Sequence, residues 1–360
     1  MHSKDPKAHD AFESLTRTLG RGFPEIEKAR KRSTATLSKL QSVCKRIPIP
    51  EGLAVVAFGS LARREWTSGS DVDWTLLIDA PTAPEHFQIA QAIAQELEAE
   101  RLTKPGSTGI FGGMASSHEL IHHIGGQEDT NGNLTRRLLL LLESRALTDS
   151  SPLENVIRQI LRRYIACDPG VSSLDHGHLR VPRFLLNDVI RYWRTVAVDY
   201  ATKKWKHGTS GWALRNIKLR MSRKLLFTKG LLACFDCGLH PHEPNMPKNP
   251  SPDIVAVCLQ ERVYSLCRMT PIDILCQSLS KHSTPDISTK ILSAYNAFLH
   301  TLDNQQSRKA LEDLGPETAH KDTVFEQMRS TSHEFGDQLE HFFFDGDPQL
   351  RTITKKYGVF

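Results

Sequence analysis

Asp71 and Asp73 stand at the head of an apolar run, Val72-Asp73-Trp74-Thr75-Leu76-Leu77-Ile78, that is rich in β-forming residues. On a strand, residues i and i+2 point to one face, so this spacing sets two carboxylates side by side. Two such groups repel each other unless a cation lies between them. Oxygen-only donors suit a hard divalent ion, Mg2+ or Mn2+. Two such ions about 3.5–4 Å apart stabilise both the entering and the leaving oxygen of an in-line phosphoryl displacement. Upstream, the apolar run Leu53-Ala54-Val55-Val56-Ala57-Phe58 ends in Gly59-Ser60, and Asp71 follows the serine by 11 positions. Glycine lets a backbone come close to a ligand, and serine adds a hydroxyl and an N–H to a phosphate cradle. Each piece alone is common. The specific signal is their conjunction: apolar strand, Gly-Ser, short polar link, Ser-Asp-Val-Asp, second apolar strand.

The elements that must position these residues follow from periodicity. Residues 7–46 carry helically spaced Phe12, Leu15 and Leu19, then Leu37, Leu40 and Val43, with a break at Gly20 to Pro24, so two helices are expected. Residues 53–58 and 72–78 read as buried strands, 84–101 as a helix, 105–117 as a glycine- and serine-rich loop, and 119–124 as a third strand. From 133 onward helix follows helix: 133–147, 152–166, 181–205, 212–236, 253–267, 271–281, 286–302 and 318–341. Five prolines between 240 and 252 mark an irregular connection.

Composition narrows the class. The chain has 360 residues, 39% hydrophobic and 24% charged, which fits a folded globular protein of about two domains. No run of 18 apolar residues predicts a transmembrane helix, and the first residues lack the apolar core of a secretory signal. Seven unevenly spread cysteines fit a reducing compartment, so a cytoplasmic protein with no membrane partner is expected. The net charge of +5 is compatible with an anionic ligand without specifying nucleic acid.

The stretch 53–79 resembles the signature of the DNA polymerase β-like nucleotidyltransferase superfamily. Its finer spelling, Gly-Ser-x-Ala-Arg-x-Glu followed by Gly-Ser-Asp-x-Asp, is similar to bacterial nucleotidyltransferases related to the PII-protein uridylyltransferase. Weaker similarity continues through Gly112-Gly113-Met114-Ala115-Ser116 and the Leu138 to Glu143 helix. The resemblance implies an α+β chain: N-terminal helices (1–46), a small mixed-sheet nucleotidyltransferase unit (47–147) and a large α-helical domain (148–360). It implies transfer of NMP from an NTP to an acceptor hydroxyl with release of pyrophosphate. Gly59 and Ser60 carry over as the triphosphate-binding turn, and Asp71 and Asp73 as ligands of Mg2+ or Mn2+. Trp66 and Trp74 depart from the pattern, standing where small and aliphatic residues are usual. The superfamily has a third carboxylate on a later strand. Glu119, heading an apolar run, is the candidate for it as catalytic residue and metal ligand, with Glu128 and Asp129 as rivals.

The helical region offers cations for the triphosphate. Arg191 and Arg194 share a face with Asn187, and Arg215 and Lys218 flank the apolar stripe of 212–227. The acceptor is left open between protein, RNA and nucleotide. Two alternatives stand beside the enzyme reading. One is a nucleotide-binding regulatory protein with a degenerate site. The other is a tRNA-modifying toxin or defence protein, favoured by the Lys203, Lys204, Lys206, His207 tract around Trp205. Cys234, Cys237, His240 and His242 are too compact for a usual zinc site and are expected to be ordinary side chains at a helix end.

Overall fold

The computed structural model describes residues 10–100, 111–168, 179–207, 211–242, 246–247 and 250–358, for 203–207 the backbone only. Among the described residues the chain is mostly helical, with one small mixed sheet in its first half.

Helix α1 (Ala11–Leu19) closes on Gly20, whose φ of 62° is the left-handed cap, and Pro24 starts α2 (Pro24–Cys44). Strand β1 (Leu53–Ala57) pairs antiparallel with β2 (Trp74–Ile78), Leu53 opposite Ile78 and Ala57 opposite Trp74. On the far side of β2 lies β3 (Met114–Ser116), parallel to it. On the far side of β1 lies β4 (Arg145–Ala146), antiparallel. The order is β3-β2-β1-β4.

Every residue of β1 and β2 is buried, because the sheet is covered on both faces. Ala54, Val56 and Leu77 join the large core shared with the helical region. Leu53, Val55, Ala57, Trp74, Leu76 and Ile78 join a second core with Leu40 and Val43 of α2 and Ile93 and Leu97 of α4 (Glu85–Ala99). The unusual Trp74 thus packs under the sheet, and Trp66 lies partly buried against the same core.

The third strand is not where the apolar run suggested. Residues 114–116 form β3, and 119–124 instead begin inside α5 (Ser117–His122). Leu120, Ile121 and Ile124 are buried at helical spacing, which places Glu119 on the exposed side. Helix α6 (Asn131–Leu142) stops five residues before the expected 147, since 145–146 are needed to pair with β1.

The helical region comprises α7 (Ser151–Ala166), α8 (Arg183–His207), α9 (Trp212–Lys218), a π turn (Leu219–Arg223), α10 (Lys224–Leu239), α11 (Pro252–Arg268), α12 (Pro271–His282), α13 (Pro285–Asp303), α14 (Gln305–Asp313), α15 (Thr323–Phe344) and α16 (Pro348–Ile353). The expected helix over 212–236 is therefore continuous but carries a wide turn. No helix among the described residues is long and apolar enough to cross a membrane.

Candidate active site

The end of β1 and the approach to β2 meet at one point. Phe58 N–H donates to the Asp73 carbonyl at 2.9 Å, one step beyond the β1–β2 ladder. Gly59 then turns with φ of 66° into the short helix α3 (Gly59–Ala62). A Cβ on Gly59 would lie 2.6 Å from Asp73 Oδ2, so only glycine lets the turn rest against that carboxylate. Asp71 and Asp73 lie just ahead of β2 and are half-buried. Together with Gly59 and Ser60 they line one cleft.

Asp73 carries the clearest electrostatic signature. Burial, reinforced by the charges of Glu143 and Asp71, outweighs Arg223 and Arg63 and pushes its carboxyl up to about 6. That is the state of an acid short of positive charge, and a divalent cation would reverse it. The donors are all oxygens, so the pair fits Mg2+ or Mn2+. Among the described residues no three His, Cys, Asp or Glu side chains converge as a complete metal cage. Such an ion would therefore rest on the Asp pair, water and substrate phosphates, the usual habit of Mg2+.

The cleft has a second wall from the helical region. Lys218, Ser222 and Arg223 come from the end of α9 and the π turn, Arg308 from α14, and Phe298, Leu299 and Leu302 from α13. In an α-helix, residues five apart point about 140° away from each other. The π turn, with Lys224 N–H bonded to the Leu219 carbonyl, stacks residues five apart, so Lys218 and Arg223 both reach the cleft. Lys218 makes no ion pair or hydrogen bond through its ammonium within the described residues, and burial lowers it to about 8. Arg308 is buried above Gly69, where a Cβ would stand 2.5 Å from its Nε.

Beneath the cleft runs a buried ionic network. Arg63 donates from Nε to Glu65 at 2.8 Å and from Nη1 to Glu143, and Arg223 reaches Glu143 Oε1 at 3.2 Å. Burial pushes Glu143 up, but the two guanidiniums outweigh it and hold the carboxyl below the usual glutamate range. Glu65 lines the cleft, and burial raises its carboxyl despite Arg63.

Several expected site residues lie elsewhere. Glu119 is exposed on α5 and is not among the cleft residues, because the run behind it is helical rather than extended. Glu128 is exposed. Asp129 is buried in a bidentate pair with Arg137 at 3.0 and 2.9 Å. Arg191 binds the Asp129 carbonyl at 3.1 Å and, like exposed Arg194, is not among the cleft residues. Arg215 lines a neighbouring pocket. Cys234 and Cys237 are fully buried, and His240 pairs with Asp236. The side chains of Lys203 to His207 lie outside the described residues.

Glu143, Arg63, Glu65 and Arg308 were not assigned by sequence reasoning. Arg63 and Glu65 sit inside the Gly-Ser signature. Glu143 had a usable signal: an acid closing the run Leu138 to Leu142, directly before a short strand. Arg308 had none.

Residues 24–126 match a family model described as "Putative nucleotidyltransferase DUF294". No curated protein matches the chain. The matched span holds α2, β1, the Gly-Ser turn, the Asp pair, β2, α4 and β3, so this part of the chain is similar to a domain of nucleotidyltransferase type. Glu143, Lys218, Arg223 and Arg308 lie beyond it.

Proposed function

We propose that the protein is a divalent-metal-dependent nucleotidyltransferase, moving NMP from an NTP to an acceptor hydroxyl with release of pyrophosphate. The observation that carries this reading is the meeting of Gly59-Ser60 and the Asp71–Asp73 pair in one cleft, walled on the other side by Lys218 and Arg308. Mg2+ or Mn2+ on Asp71 and Asp73 would supply the charge that aligns the phosphates and stabilises the displacement. The chain itself does the rest. The Gly59-Ser60 turn holds phosphate oxygens through its hydroxyl and N–H. Lys218 and Arg308 offset the negative charge of the triphosphate. Glu143, held by two arginines, keeps Arg63 and Arg223 in place instead of accepting the acceptor's proton. The finer likeness, to nucleotidyltransferases related to the PII-protein uridylyltransferase, and the acceptor class (protein, RNA or nucleotide) belong to this reading as well.

The test is incubation of the protein with each α-labelled NTP, Mg2+ or Mn2+, and cell extract. Divalent-dependent transfer of label to one molecular species is expected. A second reading, a nucleotide-binding regulatory protein with a degenerate site, is favoured by one observation: Glu143, whose charge acts on Asp73, is taken up by Arg63 and Arg223. Tight NTP binding without transfer to any acceptor would select it.

A further inference from the structure

Beside the Asp71–Asp73 cleft lies a second pocket of a different chemical character. Its walls are Phe111, Leu139, Tyr192, Val196 and Tyr200, and it shares Lys218 and Arg223 with the cleft. The two cavities therefore meet at a cationic seam, polar and acidic on one side, aromatic and aliphatic on the other. Phe111 packs on Phe58, the residue before the Gly-Ser turn, at 5.3 Å between ring centroids. An aromatic wall thus starts next to the turn and runs away from it.

The cleft has its own apolar residues, Phe298, Leu299 and Leu302, but these are 1%, 2% and 6% exposed and offer a ligand little surface. In the second pocket Phe111, Val196 and Tyr200 are only half-buried, so part of each side chain faces the cavity. Arg215 also lines this pocket, and Asp199 stands exposed at its rim. The arrangement asks for a flat apolar group edged with donors and acceptors and tethered to an anion at the seam.

We propose that this pocket, walled by the half-buried Phe111, Val196 and Tyr200, binds the nucleoside of the NTP, with Lys218 and Arg223 at the junction of nucleoside and triphosphate. The proposal rests on the nucleotidyltransferase reading above. Bases stack on such side chains irrespective of sequence because each has a π-face.

The test is calorimetric titration, with Mg2+ present, of the full chain with ATP, GTP, CTP, UTP and inorganic tripolyphosphate. At least one NTP is expected to bind tenfold or more tightly than tripolyphosphate. Val196→Trp, which fills the pocket from its half-buried side, and Tyr200→Ala should each weaken that NTP about tenfold and leave tripolyphosphate within twofold. Tyr200 also accepts a hydrogen bond from Asn216 Nδ2 at 2.9 Å. Tyr200→Phe, which keeps the ring without the hydroxyl, should therefore retain NTP affinity, and thermal melts confirm that the variants fold. Equal wild-type affinity for NTP and tripolyphosphate overturns the nucleoside assignment while the enzyme reading stands. So does unchanged NTP binding in both Val196→Trp and Tyr200→Ala, including the case where transfer is lost because the pocket holds the acceptor. Failure of wild type to bind any of these ligands overturns the enzyme reading and this one together.

Discussion

At Asp73 the needs of the proposed catalysis and of stability oppose each other. Its carboxyl titrates at about 6 in the fold against an ordinary 3.8, so ionising it costs stability. The cost is absent below 3.8 and fully present above about 6. Asp73→Asn in metal-free buffer should therefore melt like wild type at pH 4 and no lower, or higher, at pH 7. The same variant, like Asp71→Asn, should lose divalent-dependent NMP transfer by several orders of magnitude, since each 1.36 kcal/mol of lost transition-state stabilisation is a factor of ten. Glu143 behaves in the opposite way. Glu143→Gln leaves Arg63, which is buried, and Arg223 without their shared counter-charge, which should cost about 3–5 kcal/mol in a denaturant titration. Glu119→Gln, on an exposed helix face, should shift the same titration by less than about 0.5 kcal/mol and leave transfer intact.

Two short elements aim the site's side chains. The Gly59 turn works because its backbone is left-handed and lies against Asp73. Gly59→Ala adds about 1 kcal/mol or more of backbone strain and thrusts a methyl onto Asp73 Oδ2. It should lower the melting temperature and abolish transfer, whereas Ser60→Ala should only reduce transfer and leave the melt unchanged. The π turn at 219–223 performs the same service for the cations. An uninterrupted α-helix would bring Lys218 or Arg223 to the cleft, not both.

Across the whole molecule, the site lies at a junction of sheet and helical region that two buried or half-buried charges secure. Lys229 is fully buried and donates to the carbonyls of Leu142, Cys267 and Met269 at 2.7, 2.8 and 2.6 Å, tying the end of α6, next to Glu143, to the end of α11. Asp303, at the end of α13, accepts from Ser68 N–H at 3.0 Å and pairs with Lys28 and Arg32 of α2, so it fixes the link that leads to Asp71. Burial would raise its carboxyl, but Lys28, the Ser68 N–H and Arg32 together hold it down at about 2. A lowered acid contributes stability that is present above 3.8 and lost as pH falls towards 2. Asp303→Asn should cost about 1–2 kcal/mol at pH 7, and its stability should then decline less steeply than wild type between pH 4 and pH 2, as read by urea titration at each pH.

The chain's own order of residues determined the parts governed by local rules. The uniform apolar runs of β1 and β2 exist because both faces of the sheet are covered. The break at Gly20-Pro24 follows from cap chemistry, and the Gly-Ser turn meets the Asp pair because β1 and β2 are neighbouring antiparallel strands. The helical stripes were legible for the same reason, although periodicity could not tell the short helix at 117–122 from a strand or show a π turn inside 212–239. Only tertiary structure decided which charges face the Asp pair. Glu143, Lys218, Arg223 and Arg308 come from separate elements, and Arg191 was drawn instead to Asp129. Helical spacing gives a cation's face but not its partner. The partner is set by which distant element packs there and by the need to match each buried charge with an opposite one.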